Sequence, residues 1–296
     1  MLQKLKNDIP QEAFDWYDEY AHGKMDRRAF MEKLGALTAV GFSMSLLTSA
    51  LLPNYALAEQ ISFNDPDIIA SYKVFDSPAG YGKGQGYLVM PTNKTGNLPV
   101  VLVIHENRGL NPYIKDVARR LAKAGFIAFA PDALFSLGGY PGNDDEGRAM
   151  QKSLDRTKIQ HDFVAAAKFL KNQVNGNGKL GAVGFCFGGY LVNYLAAVDA
   201  GLIAAGVPFY GTPATKELRE NIKAPLLLQF AGVDDRVNGT WPEYEADLKR
   251  LAVPYQMHSY EGSKHGFHND STGRYNKEHA ELAWQRTIAF FSENLV

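Results

Sequence analysis

From Ser71 onward, short apolar runs alternate with longer segments whose apolar residues recur at helical spacing. "SYKVFDS" and "GQGYLVMP" read as strands joined by the glycine-rich turn "PAGYGKG". "LPVVLVIHE" is a near-continuous aliphatic run, the pattern of a strand covered on both faces. "PYIKDVARRLAKAG" then repeats its apolar residues as a helix does and stops at Gly125. "FIAFAPD", "LGAVGF", "IAAGVPFYG", "APLLLQFAG" and "VPYQMHSYEG" read as further strands. Helices are expected over "LDRTKIQHDFVAAAKFLKNQ", "FGGYLVNYLAAV", 241–251 and 278–294. This alternation predicts an α/β fold with one doubly wound, mostly parallel sheet. Ligands of such sheets sit beyond the carboxyl ends of the strands, so the residues just after each apolar run carry the candidate chemistry.

The chain before Glu59 has a different character. Arg27 and Arg28 precede "LGALTAVGFSMSLLTSALL", which carries no charge, and Ala56-Leu57-Ala58 follows with the small-x-small pattern of a signal-peptidase site. Together these resemble a twin-arginine export signal. The expected division is a signal or leader segment over 1–58 and a globular domain over 59–296, with a periplasmic or exported product that meets a membrane only through its leader. Two other readings compete: an uncleaved membrane anchor, or helices packed on a cytoplasmic domain.

Composition narrows the partners. The 296 residues carry 31 Lys and Arg against 32 Asp and Glu, and no basic block stands out that would neutralise a phosphate backbone. Nucleic-acid binding is therefore not expected. A single cysteine, Cys186, permits no internal disulfide.

That cysteine lies in Gly184-Phe185-Cys186-Phe187-Gly188, between a predicted strand and a predicted helix. Glycines there allow the sharp strand-to-helix turn that lifts a nucleophile out of the core. The position also places the sulfur at a helix N-terminus, whose partial positive charge favours thiolate. Three more strand ends carry Glu106, Asp234 and His265. The order nucleophile, acid, histidine is that of α/β-hydrolases. In this reading His265 accepts the thiol proton, Asp234 fixes its tautomer, and backbone N–H groups of Phe187 and Asn107 form an oxyanion hole. Asp235 competes with Asp234, and His258 and His268 with His265. Glu106 has the plainer alternative of a loop carboxylate paired with Arg108.

"GFCFGG", "AGVDDRV", "YEGSKHGFHND" and "HENRGLN" together resemble the dienelactone hydrolase (carboxymethylenebutenolidase) family, over 71–296. The resemblance implies an α/β-hydrolase fold, a Cys186-His265-Asp234 triad and hydrolysis of enol-lactones or small esters without a cofactor. It also implies that Glu106 pairs with the resting thiol, which is then expected to stay largely protonated until substrate binds. The family's substrate-carboxylate arginines have no evident counterpart; Arg108 or Arg148 is the candidate. The rival readings are a binding or sensing protein on a hydrolase scaffold and a broad esterase or peptidase. "NGNGKL" precedes a strand and so is no phosphate loop, and the glycines around Cys186 do not fit a dinucleotide fingerprint. His265, His268 and Asp270 lack a third ligand at catalytic-zinc spacing, so no metal is expected.

Overall fold

The structure is a computed structural model that describes residues 9–21, 25–94 and 96–296. The predicted strands all form: β1 Ile68–Ser77, β2 Gly82–Pro91, β3 Leu98–Ile104, β4 Ile127–Pro131, β5 Gly176–Phe185, β6 Ala205–Phe209, β7 Leu226–Val233 and β8 Tyr255–Lys264. They make one sheet in the order β1-β2-β4-β3-β5-β6-β7-β8. Only β1 and β2 run against their neighbours; every pair from β4 to β8 is parallel.

The aliphatic run of β3 shows why this sheet is covered on both sides. Val100, Leu102 and Ile104 face one core, with helices Arg156–Lys171, Phe187–Val198 and Trp241–Arg250. Val101 and Val103 face the other, with helices Pro112–Ala124 and Lys277–Leu295. Side chains alternate across a strand, so neither set can reach water. All five are fully buried, and burial of each aliphatic side chain stabilises the fold by about 1.5–3 kcal/mol. The helix Pro112–Ala124 begins and ends where its residues dictate. Asn111 accepts from the Ile114 N–H at 3.2 Å, Pro112 opens the first turn, and Gly125 closes it at φ 102°.

After Glu59, one helix of more than four residues has no counterpart in the apolar pattern. Asp144–Ser153 is started by Asn143, whose side chain accepts from the Glu146 N–H at 2.8 Å, with three acidic residues in the positive first turn. Its buried residues are Gly147 and Gln151. A helix that buries a glycine and an amide leaves no hydrophobic stripe. Gly147 is required because a Cβ there would lie 2.3 Å from the Arg108 carbonyl oxygen.

The described part of the first 58 residues is helical, over Gln11–Ala21, Arg27–Thr38, Met44–Leu51 and Tyr55–Ala58. Tyr17, Tyr20, Phe30, Leu34, Leu47 and Leu51 bury one another in a third, smaller core. Tyr20 stacks on Phe30 with ring centroids 4.8 Å apart. The uncharged run breaks at Ser43, which caps the next helix by accepting from the Leu46 N–H at 3.1 Å. Among the described residues, no helix is long and apolar enough to cross a membrane.

Candidate active site

β5 hands the chain to helix Phe187–Val198 through Cys186, at φ 56° and ψ −109°. A non-glycine residue held at such a left-handed value stores about 1–3 kcal/mol of strain. Two bonds hold it there: the Cys186 N–H donates to the Phe209 carbonyl, and the Tyr190 N–H donates to the Cys186 carbonyl, each at 3.1 Å. The flanking glycines follow from contact distances. A Cβ on Gly184 would sit 2.2 Å from the Gly188 oxygen, and one on Gly188 would sit 2.2 Å from the Ile104 oxygen. Strand and helix cross too closely for any side chain at either place. Phe187 is the first residue of its helix, so its N–H has no carbonyl behind it within the helix.

Asp234 follows β7 and caps the short helix Asp235–Asn238. Its Oδ1 accepts from the Val237 N–H at 3.3 Å, which leaves Oδ2 to face His265 Nδ1 at 2.5 Å. Asp235, its rival in the sequence, is exposed. Both members of the Asp234–His265 pair are buried, with side chains 6% exposed. Burial alone pulls the imidazole down, but the charge of Cys186, the hydrogen bonds to Asp234 and Cys186, and the charge of Asp234 push it up to about 9. Burial pushes the other way on Asp234, whose carboxyl is nevertheless held below its usual range by the hydrogen bond and charge of His265. His268 belongs to the packing instead: burial, then the Arg120 charge, push it down to about 3, and its Nδ1 lies 2.7 Å from the Tyr113 hydroxyl.

Ile104 of β3 lies opposite Gly184 of β5, so Glu106, two residues on, comes level with Cys186. Its Oε2 accepts from Asn269 Nδ2 at 2.9 Å. The Asn269 side-chain Oδ1 accepts from the Ser271 N–H at 3.1 Å and hydroxyl at 2.6 Å, which turns the side-chain amide nitrogen toward Glu106. Arg108 is buried and ion-paired to Asp144 at 2.7 Å. Burial works against its charge, but Tyr17, Asp144 and Glu106 hold it well above its usual range. It does not line the cavity above Cys186, whereas Arg148 does.

That cavity has a volume of about 880 Å³ and is bounded by Cys186, Phe187, Asn107 and Tyr210 at its chemical end. Lys152, Arg156 and Arg236 add positive charge to its wall. Nothing in the sequence patterns drew attention to Tyr210 or Asn269. Tyr210 follows β6 at φ 38°, its ring is 4.8 Å from His265, and its buried hydroxyl has no hydrogen-bond partner among the described residues. Burial and the charges of Glu106 and Cys186 keep that hydroxyl protonated. It is a donor without an acceptor on the wall of the cavity that Cys186 also lines. The signal that was there to find is its place at the end of the strand next to β5.

The mostly parallel sheet, with a cysteine on the strand-to-helix turn and His265 and Asp234 on later strand ends, is that of an α/β-hydrolase. The chain belongs to the dienelactone hydrolase family, whose model matches residues 85–295. A second model, described as YqhI-like, matches residues 1–39. The chain is 38% identical to protein usf of Aquifex pyrophilus, over 72% of this chain and 94% of that one. It is 34% identical, at the same coverage, to an Aquifex aeolicus protein named "Putative carboxymethylenebutenolidase". The crystal structure of a dienelactone hydrolase-like promiscuous phosphotriesterase from metagenomic libraries superposes with a TM-score of 0.67 at 25% identity, covering 78% of this chain and all of that one. The protein is a hydrolase of the class that acts on esters or lactones.

Two outcomes are expected from this geometry. Gly188→Ala should cost several kcal/mol, more than the roughly 0.5–3 kcal/mol of an ordinary substitution, because backbone meets backbone; a thermal-melting temperature equal to wild type would contradict the close crossing. Glu106→Gln removes a negative charge near the sulfur, so alkylation of Cys186 by iodoacetamide should extend to lower pH while ester turnover slows. Unchanged alkylation and turnover in that variant would reduce Glu106 to a structural carboxylate.

Proposed function

We propose that the protein cleaves small esters or lactones through a thioester on Cys186, with His265 and Asp234 as its partners. The observation that carries this reading is the buried contact line from Asp234 through His265 to Cys186, opening onto a cavity large enough for a small ester. Cys186 Sγ, as thiolate, adds its electron pair to the carbonyl carbon, and the carbonyl π pair moves to oxygen. The Phe187 and Asn107 N–H groups donate to the resulting oxyanion. The C–O bond to the leaving oxygen then breaks, and that oxygen takes the proton from His265. In a lactone the leaving oxygen stays tethered to the acyl group, so ring opening and acylation are one event. Water next loses a proton to His265 and attacks the thioester, expelling Sγ and releasing the acid. Asp234 keeps Nε2 of His265 turned toward sulfur throughout.

Glu106 enters at the first step. The residue comes level with Cys186 in the strand register, and a carboxylate there opposes a second negative charge, so it tempers the thiolate until a substrate carbonyl is in place. A binding or sensing role is a poorer account, because a receptor has no need of a strained, glycine-fenced thiol with a buried imidazole and carboxylate behind it.

Cys186→Ala should leave the fold intact and lower turnover of a short-chain ester by about 10⁴-fold or more. Circular dichroism and steady-state hydrolysis on the same preparation check this. A folded Cys186→Ala protein with full activity would remove the thiol from the mechanism.

A further inference from the structure

We infer that the described residues before Glu59 form a resident cap that walls the cavity above Cys186 and limits what can reach the thiol. Each part of the export-like signature has a structural use. Asp26 caps helix Arg27–Thr38 by accepting from the Ala29 N–H at 2.8 Å. The two arginines point to different tasks: Arg27 lines the same cavity as Cys186 and lies 3.6 Å from Asp145, while exposed Arg28 pairs with Glu32. Met25 and Asp26 stand beside Arg27 on the cavity wall. The uncharged run supplies Leu34, Leu37, Leu47 and Leu51 to the small core that holds this wall in place. Ala56 and Ala58 lie in a helical turn whose first residue, Tyr55, donates to Asp144 at 2.6 Å and accepts from Asn111 at 2.9 Å.

The domain reaches back with two arginines. The Arg148 guanidinium lies 4.4 Å over the Tyr20 ring, and that of Arg274 lies 5.1 Å over Tyr17. Partly desolvated contacts of this kind are worth about 1–2 kcal/mol each. Arg108 also donates to the Tyr17 hydroxyl at 3.5 Å, so both members of the buried Arg108–Asp144 pair touch a cap tyrosine. The Asn54 N–H donates to the carbonyl of Ser271, the residue that orients Asn269, at 2.7 Å. Losing the cap would strip hydrogen bonds from an ion pair whose burial then has less to offset it.

The access claim takes from the proposed function only that Cys186 is the reactive thiol, and its test needs no hydrolysis. In the full chain, Arg27→Trp places a large ring on the cavity wall at a side chain 68% exposed, where the fold tolerates it. The labelling rate of Cys186 by a bulky aryl maleimide, relative to iodoacetamide, should fall by about tenfold, the scale at which pocket size discriminates. An unchanged ratio would overturn the cap as a wall. Intact-mass measurement on protein purified from cells that make it naturally should find a chain that still contains residues 9–58. A mature chain beginning at Glu59 would overturn the cap outright. Loss of ester hydrolysis in every assay, with both of these results as expected, would sink the proposed function and leave the cap standing.

Discussion

The buried hydrogen bond between His265 and Asp234 is the contact on which the rest of this site depends. At 2.5 Å, with both side chains 6% exposed, it joins two groups that would be expensive to bury alone. Asp234 can serve because its other oxygen is already spent on a helix cap, which fixes the carboxylate plane. The imidazole can stay charged because Asp234 stands on one side and sulfur on the other. The sheet supplies the separation. Parallel pairing from β3 to β8 brings the carboxyl ends of five strands to one edge, and the glycine-fenced turn lifts Cys186 out to meet them.

Glu106 is better balanced than its position in the sequence implies. The resemblance implied a resting thiol, protected by a neighbouring carboxylate. In the structure that carboxylate has company: Asn269 donates to it, and the Arg108 charge, fixed by Asp144, acts on it. Both reduce the negative field that Glu106 directs at sulfur, while His265 pulls toward the ion pair.

The sheet and the strand-end positions of Cys186, Asp234 and His265 were legible because each leaves a local trace. Apolar runs of strand length, glycines two residues either side of a cysteine, and acid and histidine just beyond later strands are all visible along the chain. What was hidden depends on contacts distant in sequence. Arg108 looks like a free cation in "HENRGLN", yet its partner lies in a helix that buries no apolar side chain. Asn269 matters only because Ser271 turns its amide. Tyr210 sits in an apolar run where a tyrosine passes for core, and only the folded site shows its hydroxyl without a partner. Short apolar helices and an export signal share one composition, and the tyrosines that pack with the apolar run lie upstream of the arginine pair.

The most direct measurement of the account is the titration of His265 by NMR in protein labelled at the imidazole nitrogens, with Cys186→Ala as comparison. His265 should be an imidazolium at pH 7 that loses its proton near pH 9 in the native chain, and at a lower value once the sulfur is removed. A His265 that is neutral at pH 7 in the native chain, titrating at or below the ordinary histidine value and indifferent to loss of Cys186, would contradict it.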